Sequence, residues 1–342
     1  MPPGPPHTKP KALDFALPLA RGEFAVIYDA EDIPAPRQLH SVAAHFIHRP
    51  EISCIQAELA TENAEESWLS ALFAAEYSGL FGILLPALSR WRFPMPLGGT
   101  SNHFRVSALR QIGGWDAFNV TEDADIGVRL SRLRLRATTL LVPTSEEAPV
   151  SLRSWFGQRT RWMKGWMQTF LVHNRHPIRL LHDLGWRNFL AFQIHAGGII
   201  LTPPLHTLFT VALVARFASG ADVFSSNNRL WVFLQILIFF AGNLSAIGLS
   251  VAGVQRLGNR RLYKFQFLIP VYWALMGFAA IRASWDLLAR VHFWQKTVHG
   301  LTRHRRKRIT GPTKRRERAP GSDVNWQKNF GRRSGIKSSP QA

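Results

Sequence analysis

Three groups of side chains in this sequence have the types and spacing for chemistry. The first is Asp29-Ala30-Glu31-Asp32, which follows the apolar run Phe24-Ala25-Val26-Ile27-Tyr28 and precedes Pro34 and Pro36. Carboxylates crowded this closely repel one another, and a divalent cation relieves that repulsion. Their hard oxygens suit Mg2+ or Mn2+ held by one or two of them, with the other coordination positions open to phosphate oxygens. Asp29, Glu31 and Asp32 are therefore the candidate metal ligands; a solvated acidic turn before a Pro-terminated loop is the plainer alternative. The second group is Thr121-Glu122-Asp123-Ala124-Asp125, which leads into Ile126, Val128, Leu130 and Leu133. Here Thr121 reads as a helix N-cap, with carboxylates in the first turn complementing the helix dipole, and capping alone could explain the pattern. The third group is Gln158-Arg159-Thr160-Arg161-Trp162-Met163-Lys164-Gly165-Trp166.

These groups need elements to position them. Residues 24–28 read as a strand buried on both faces, and its carboxyl end is where open α/β sheets bind ligands. Pro96 to Arg105 reads as a small-residue loop whose backbone could approach a substrate closely, and Gly113-Gly114-Trp115-Asp116 as a further turn. Ser151 is a plausible N-cap for a helix that sets Trp155, Arg159, Trp162 and Trp166 on one face. A membrane-interface helix would account for those indoles and arginines, but not for Gln158.

The composition is divided along the chain. It has 342 residues, 46% of them hydrophobic and 19% charged, with a formal net charge of +20. Residues 1–188 read as soluble sequence, 189–281 hold long apolar runs, and 301–342 are nearly free of them. Cys54 is the single cysteine, which excludes a disulfide scaffold, and no Cys/His cluster has zinc-site spacing. The segment 301–342 carries thirteen Lys/Arg against Glu317 and Asp323, over half of the net charge. The high overall charge is thus weak support for nucleic-acid binding by the body, and no nucleic-acid partner is expected. A basic tail beside apolar segments can lie against anionic lipid, or it can be disordered and solvated.

Phe189–Phe217 and Leu230–Val254 each exceed the roughly 20 residues a membrane span requires. Pro203-Pro204 is expected to kink the first. The connection 218–228 has Asp222 and no Lys or Arg, whereas Arg175, Arg179 and Arg187 precede the first span. Arg256, Arg260, Arg261 and Lys264 follow the second, so residues 1–188 and 255–264 are expected on the cytoplasmic side of an inner (plasma) membrane. Phe265–Ile281 is short and contains Pro270; with the amphipathic 285–294 segment it is expected to be re-entrant or interfacial, leaving the tail inside. The N-terminus lacks the apolar region of a signal peptide.

Taken together, the three groups resemble the processive, membrane-embedded branch of glycosyltransferase family 2, inverting enzymes that include cellulose and hyaluronan synthases. The matching residues are the acidic motif Asp29-Ala-Glu-Asp32, a TED motif (Thr121-Glu122-Asp123) and a Gln-x-x-Arg-Trp motif (Gln158, Arg161, Trp162), in that order and before the apolar spans. The resemblance covers about residues 8 to 300, including Phe293–Gly300. It implies an α/β fold: a partial GT-A nucleotide-sugar transferase domain over residues 1–150, interfacial helices over 151–188, transmembrane or interfacial helices over 189–300 and a disordered basic tail over 301–342. It implies a hexosyltransferase moving sugar from a nucleotide-sugar donor to a glycan acceptor at a lipid membrane. Asp123 would be the general base; Lys9, Asp29 and Arg161 would bind donor; Gln158, Trp162, Thr100 and Ser101 would bind acceptor. The metal motif departs from strict Asp-x-Asp at Glu31, and Asp14 stands where Asn is usual.

Such enzymes also carry strand–helix units ahead of the lysine motif, whereas seven residues precede Thr8 here. The expectation is an N-terminally truncated chain, a misassigned start or a decayed copy. An inactive fragment or non-catalytic membrane subunit is therefore the alternative function, and a membrane-tethered nucleic-acid binder acting through the basic tail a third.

Overall fold

The computed structural model describes residues 6–220 and 229–289. The sequence reading of the tail 301–342, of Phe293–Gly300 and of most of the 218–228 connection lies outside these residues. Helix α1 (Lys9–Ala16) has Pro10 in its first turn and leads to strand β1 (Phe24–Ile27). After the acidic turn come β2 (Ile33–Pro34), α2 (Gln38–His48) and β3 (Ile52–Thr61). A nearly continuous helical rod follows, made of α3 (Trp68–Gly79), a π-helical turn at Leu80–Leu84 and α4 (Leu85–Trp91). Ser67 starts the rod with reciprocal bonds to Ser70, a capping box whose loss typically costs about 1 kcal/mol.

The remaining elements are β4 (Asn102–Arg105), α5 (Val106–Gln111), α6 (Glu122–Arg132), β5 (Arg136–Glu146), α7 (Leu152–His173) and α8 (Pro177–Leu184). Then come the long helices α9 (Trp186–Ala218) and α10 (Arg229–Leu257), a 3-10 segment at Arg260–Leu268 and α11 (Ile269–Ala289). The compact unit holding all of these runs from Met1 to His304.

The strands form one sheet in the order β1-β4-β3-β5-β2. Strand β3 is its centre, parallel to β5 and antiparallel to β4, and its residues from Ile52 to Ala57 are all buried. The sequence suggested a buried strand at residues 24–28. The strand exists over 24–27 but at the sheet edge: among the described residues it pairs only with β4, and only Ile27 is fully buried. The expected loop 96–105 likewise ends early, because Asn102–Arg105 is β4, pairing on both sides with β1 and β3. The core joins the sheet to the rod and to α6, with Leu59, Phe73, Phe81, Phe104, Ile126 and Trp155 among its buried members.

Among the described residues three helical stretches are long and apolar enough to cross a membrane by length and composition: Trp68–Trp91, Val232–Leu257 and Arg260–Ala289. The first is more than half buried inside the protein, whereas Val232–Leu257 exposes Phe233, Ile238, Phe240 and Leu244. Helix α9, the expected first span, has the length at 33 residues, with Pro203 and Pro204 inside it. The stretch Phe265–Ile281, expected to be re-entrant or interfacial, runs from the 3-10 segment into the 21-residue α11, about 32 Å at about 1.5 Å per residue. Proline at the first turn of α11 does not break it, since the missing N–H there has no intrahelical partner. Helix α11 crosses α9 closely at Gly277, where an added Cβ would meet the Pro203 carbonyl and the Thr207 side chain.

Candidate active site

The acidic turn and the glycine loop are bound together before any ligand is considered. Lys9 Nζ ion-pairs with Asp29 and donates to the Gly99 carbonyl at 2.6 Å. The Asp29 N–H donates to Asp32 Oδ2 at 3.0 Å, and the Thr100 hydroxyl also donates to Asp32. From the centre of the sheet, fully buried Gln56 accepts from the Gly98 N–H at 2.7 Å and donates to the Thr100 carbonyl at 3.0 Å. The loop is thereby held against the second motif: a Cβ on Gly99 would lie 3.4 Å from Asp123 Oδ2.

Helix α6 carries the Thr-Glu-Asp motif and is fixed at its far end. Arg129 Nε donates to Asp125 at 2.7 Å, His173 Nε2 lies 2.9 Å from the other oxygen of Asp125, and Arg132 ion-pairs with Asp183 at 2.7 Å. This chain ties α6 to α7 and α8. Thr121 occupies the N-cap position as expected, but its hydroxyl makes no cap bond and is buried without a hydrogen-bond partner. Asn119 holds the entry to α6 instead, accepting from the Thr121 N–H at 3.0 Å and donating to Thr169 of α7 at 3.0 Å. Ser151 does cap α7, accepting from Ser154 N–H.

A cavity of about 1040 Å3 brings these pieces to one place. Asp29, Glu31, Asp32, Thr100, Asp123, Gln158, Arg161 and Trp162, all singled out in the sequence, line it. Ser101 does not: its hydroxyl turns inward to Thr144 at 2.5 Å, and its left-handed backbone (φ 56°) serves the tight entry into β4. The cavity continues past Trp166 and His195 of α7 and α9 to Tyr272 of α11. Trp155, expected at a membrane interface, is fully buried instead, its indole N–H on the Tyr272 hydroxyl.

The site is electrostatically tense. Burial pushes the coupled carboxyls of Glu122 and Asp123 well above their ordinary range; repulsion between them adds to Glu122, and the charge on Lys9 only partly offsets both. Glu146, at the end of β5 and lining the same cavity, is pushed up to about 8 by burial and then by Asp32 and Asp29. Burial lowers Arg161, against the pull of Glu122, Asp123 and Asp29 around it. If ionised Asp123 accepts a proton in the reaction, the rate must rise with pH through its displaced titration. The acid limb of the pH–rate profile is therefore expected above the ordinary aspartate value of about 3.9. A profile flat from pH 4.5 to 7.5 would remove Asp123 from that role.

Among the described residues no group of three His, Cys, Asp or Glu has metal-holding geometry. The donors present suit a hard cation on one or two carboxylates of the acidic turn, where Asp29 also meets Lys9 and Asp32 the Thr100 hydroxyl. The sequence reading missed Gln56, Glu76, Glu146 and Tyr272. A buried glutamine in an apolar strand run was the only local signal for any of them.

The fold is thus a mixed α/β body with its acidic turn at the end of a strand, continuous with long apolar helices. Residues 25–283 match the family described as Glycosyl transferase family group 2, and the chain belongs to that family. It is 29% identical over 147 residues to the probable glucomannan 4-beta-mannosyltransferase 14 of Arabidopsis thaliana, covering 42% of this chain and 27% of that protein. It is 27% identical over 226 residues to the UDP-forming cellulose synthase catalytic subunit of Pseudomonas fluorescens (strain SBW25), covering 65% of this chain and 30% of that protein. The chain thus spans less than a third of the length of these two relatives. A solved mannosyltransferase from Pyrobaculum calidifontis, in complex with GDP-Man and Mn2+, overlays with a TM-score of 0.47 at 18% identity, covering 83% of this chain and 67% of that one.

Proposed function

We propose that this chain transfers a sugar, with inversion, from a nucleotide-sugar donor to a growing polysaccharide at the cytoplasmic face of a membrane. The observation that carries this reading is the convergence of Asp29, Asp123, Gln158, Arg161 and Trp162, spread over more than 130 residues, on one cavity. Asp123 takes the proton from an acceptor hydroxyl as that oxygen attacks the anomeric carbon and the bond to the diphosphate breaks. One displacement with a positioned base needs no covalent nucleophile. Lys9 and Arg161 bring positive charge to the departing diphosphate, while Gln158, Trp162 and Thr100 face the acceptor. A divalent cation, Mg2+ or Mn2+, would be held by Asp29 with Glu31 or Asp32 and would neutralise diphosphate charge.

The contacts of the basic loop support the membrane orientation. Arg256 forks onto Glu58 at 2.6 and 2.9 Å, and Asn259 and Arg261 both reach Glu65, which ties the basic 256–264 loop to the α/β body. These contacts support a shared side for body and loop, and the basic residues of the loop support the cytoplasmic side by the positive-inside rule.

Donor binding by the full chain in lipid nanodiscs tests the reading, with UDP-glucose and GDP-mannose as probes and Mn2+ present or chelated. The expected result is saturable binding of one of them that weakens at least about tenfold on chelation and in Asp29→Ala, a loss of about 1.4 kcal/mol. Binding indifferent to chelation and to Asp29→Ala would contradict the metal assignment. Absence of binding to any nucleotide sugar by the folded chain would favour the non-catalytic membrane subunit.

A further inference from the structure

We infer that Glu76, Arg159 and Tyr272 form a positioning unit that sets the Trp162 ring for the acceptor, an inference that rests on the transferase reading above. Arg159 is 3% exposed, and its guanidinium forks onto both oxygens of Glu76, each at 2.7 Å. The Tyr272 hydroxyl closes the arrangement. It accepts from Arg159 Nη2 at 2.8 Å and from Trp155 Nε1 at 3.1 Å, and donates to Glu76 Oε2 at 2.6 Å. The three residues come from three separate elements: α3 in the apolar rod, α7, and α11 at the far end of the described chain.

This unit bears directly on Trp162. Arg159 and Trp162 are three residues apart on α7 and so share a face. The guanidinium carbon lies 4.8 Å from the Trp162 ring centroid and 5.0 Å from that of Phe73. Tyr77, one residue after Glu76 on α3, stacks near Trp162 at 6.3 Å and 21°. The indole plane is thus set by Arg159 and Tyr77, and Arg159 is set in turn by Glu76 and Tyr272. Glu76, Tyr272 and Trp162 all line the cavity, so a sugar ring resting there meets the ring and its supports together.

A purely stabilising role explains this poorly. Removing two charges from water offsets most of what their attraction returns, and apolar replacements of such pairs are often no less stable. A two-pronged guanidinium–carboxylate contact does fix a plane, which is what an aromatic platform for a sugar requires. The contact also makes the platform depend on α11: a shift of that helix moves Tyr272 and loosens the fork.

The test uses the full chain in nanodiscs with two donor and acceptor pairs, UDP-glucose with cellohexaose and GDP-mannose with mannohexaose. Tyr272→Phe removes one hydroxyl and leaves the Arg159–Glu76 fork; Glu76→Gln removes the charge. Each is expected to raise the acceptor KM about tenfold while the donor KM stays within about twofold, as expected when an acceptor contact worth about 1.4 kcal/mol is lost. Thermal unfolding of Tyr272→Phe should fall only modestly, because the buried Trp155 indole N–H loses its acceptor while the Arg159–Glu76 fork remains. An unchanged acceptor KM in Tyr272→Phe would overturn the inference, as would equal losses for donor and acceptor accompanied by a large fall in unfolding temperature. A wild type inactive with every pair would instead overturn the transferase reading, and this inference with it.

Discussion

Asp123→Asn is expected to lower sugar transfer by about 10²- to 10⁴-fold, the contribution of a positioned general base, with donor affinity nearly unchanged. The amide is isosteric and can still accept from the Ala124 N–H, which lies 2.8 Å from Asp123 Oδ1. It cannot take a proton from an attacking hydroxyl. The fold should not suffer, because the substitution removes a carboxylate that burial disfavours. Glu122→Gln is the informative contrast. Glu122 is 6% exposed and does not line the cavity, so its loss is expected to change rate far less than that of its neighbour. Turnover and donor affinity measured side by side on both variants decide the matter, and equal losses for the two would deny Asp123 its special place.

Gly127→Ala should be nearly as damaging, for a reason that has nothing to do with chemistry. Gly127 sits on α6 where the helix meets the chain leading into the glycine loop, and an added Cβ would overlap the Met95 carbonyl oxygen and touch the Leu97 nitrogen at 3.4 Å. Both neighbours are backbone and cannot turn aside. Helix α6 must move, at a cost of about 1–3 kcal/mol for overpacking. Asp123 moves with it relative to Gly99, and a shift of about 1 Å at a reacting group can cost about 10²-fold in rate. Gly248→Ala on α10 is the control, since nothing lies within 4 Å of its added methyl group. Thermal unfolding and turnover should both fall for the first variant and neither for the second. An active, stable Gly127→Ala would show that the contact between α6 and the loop is slack.

The parts of this site that were legible in the sequence are those encoded locally. An acidic turn after an apolar run, carboxylates opening an amphipathic helix and Gln158-x-x-Arg161-Trp162 on a Ser151-capped helix each declare themselves within a few residues. What was not legible depends on long-range pairing. The edge position of β1 follows from its ladder with β4, more than 70 residues away, and no local pattern records it. Glu76 and Tyr272 meet across 196 residues, so neither looks more than ordinary in its own segment. Ser101 shared a loop with Thr100 and the same apparent role; a left-handed backbone turned its hydroxyl inward.

Composition alone does not separate a span from a core helix, because protein interior and lipid both accept apolar surface. The rod at Trp68–Trp91 has the composition of a span and is mostly buried against the α/β body and α10, where Gly253 packs on Ala75 and Gly79. Pro270, inside the short apolar stretch Phe265–Ile281, falls in the first turn of α11, which runs on to Ala289.

The central claim is that the carboxylates at the head of the cavity transfer sugar from a nucleotide donor. Its most direct test is incorporation of radiolabelled sugar from UDP-glucose and from GDP-mannose into glycan by the full chain in nanodiscs with Mn2+, wild type beside Asp123→Asn. Incorporation by the wild type from one of the donors, abolished by chelation and by Asp123→Asn while donor binding persists, is the result expected. Incorporation that survives Asp123→Asn would contradict the account, as would a folded wild type that binds donor and transfers nothing.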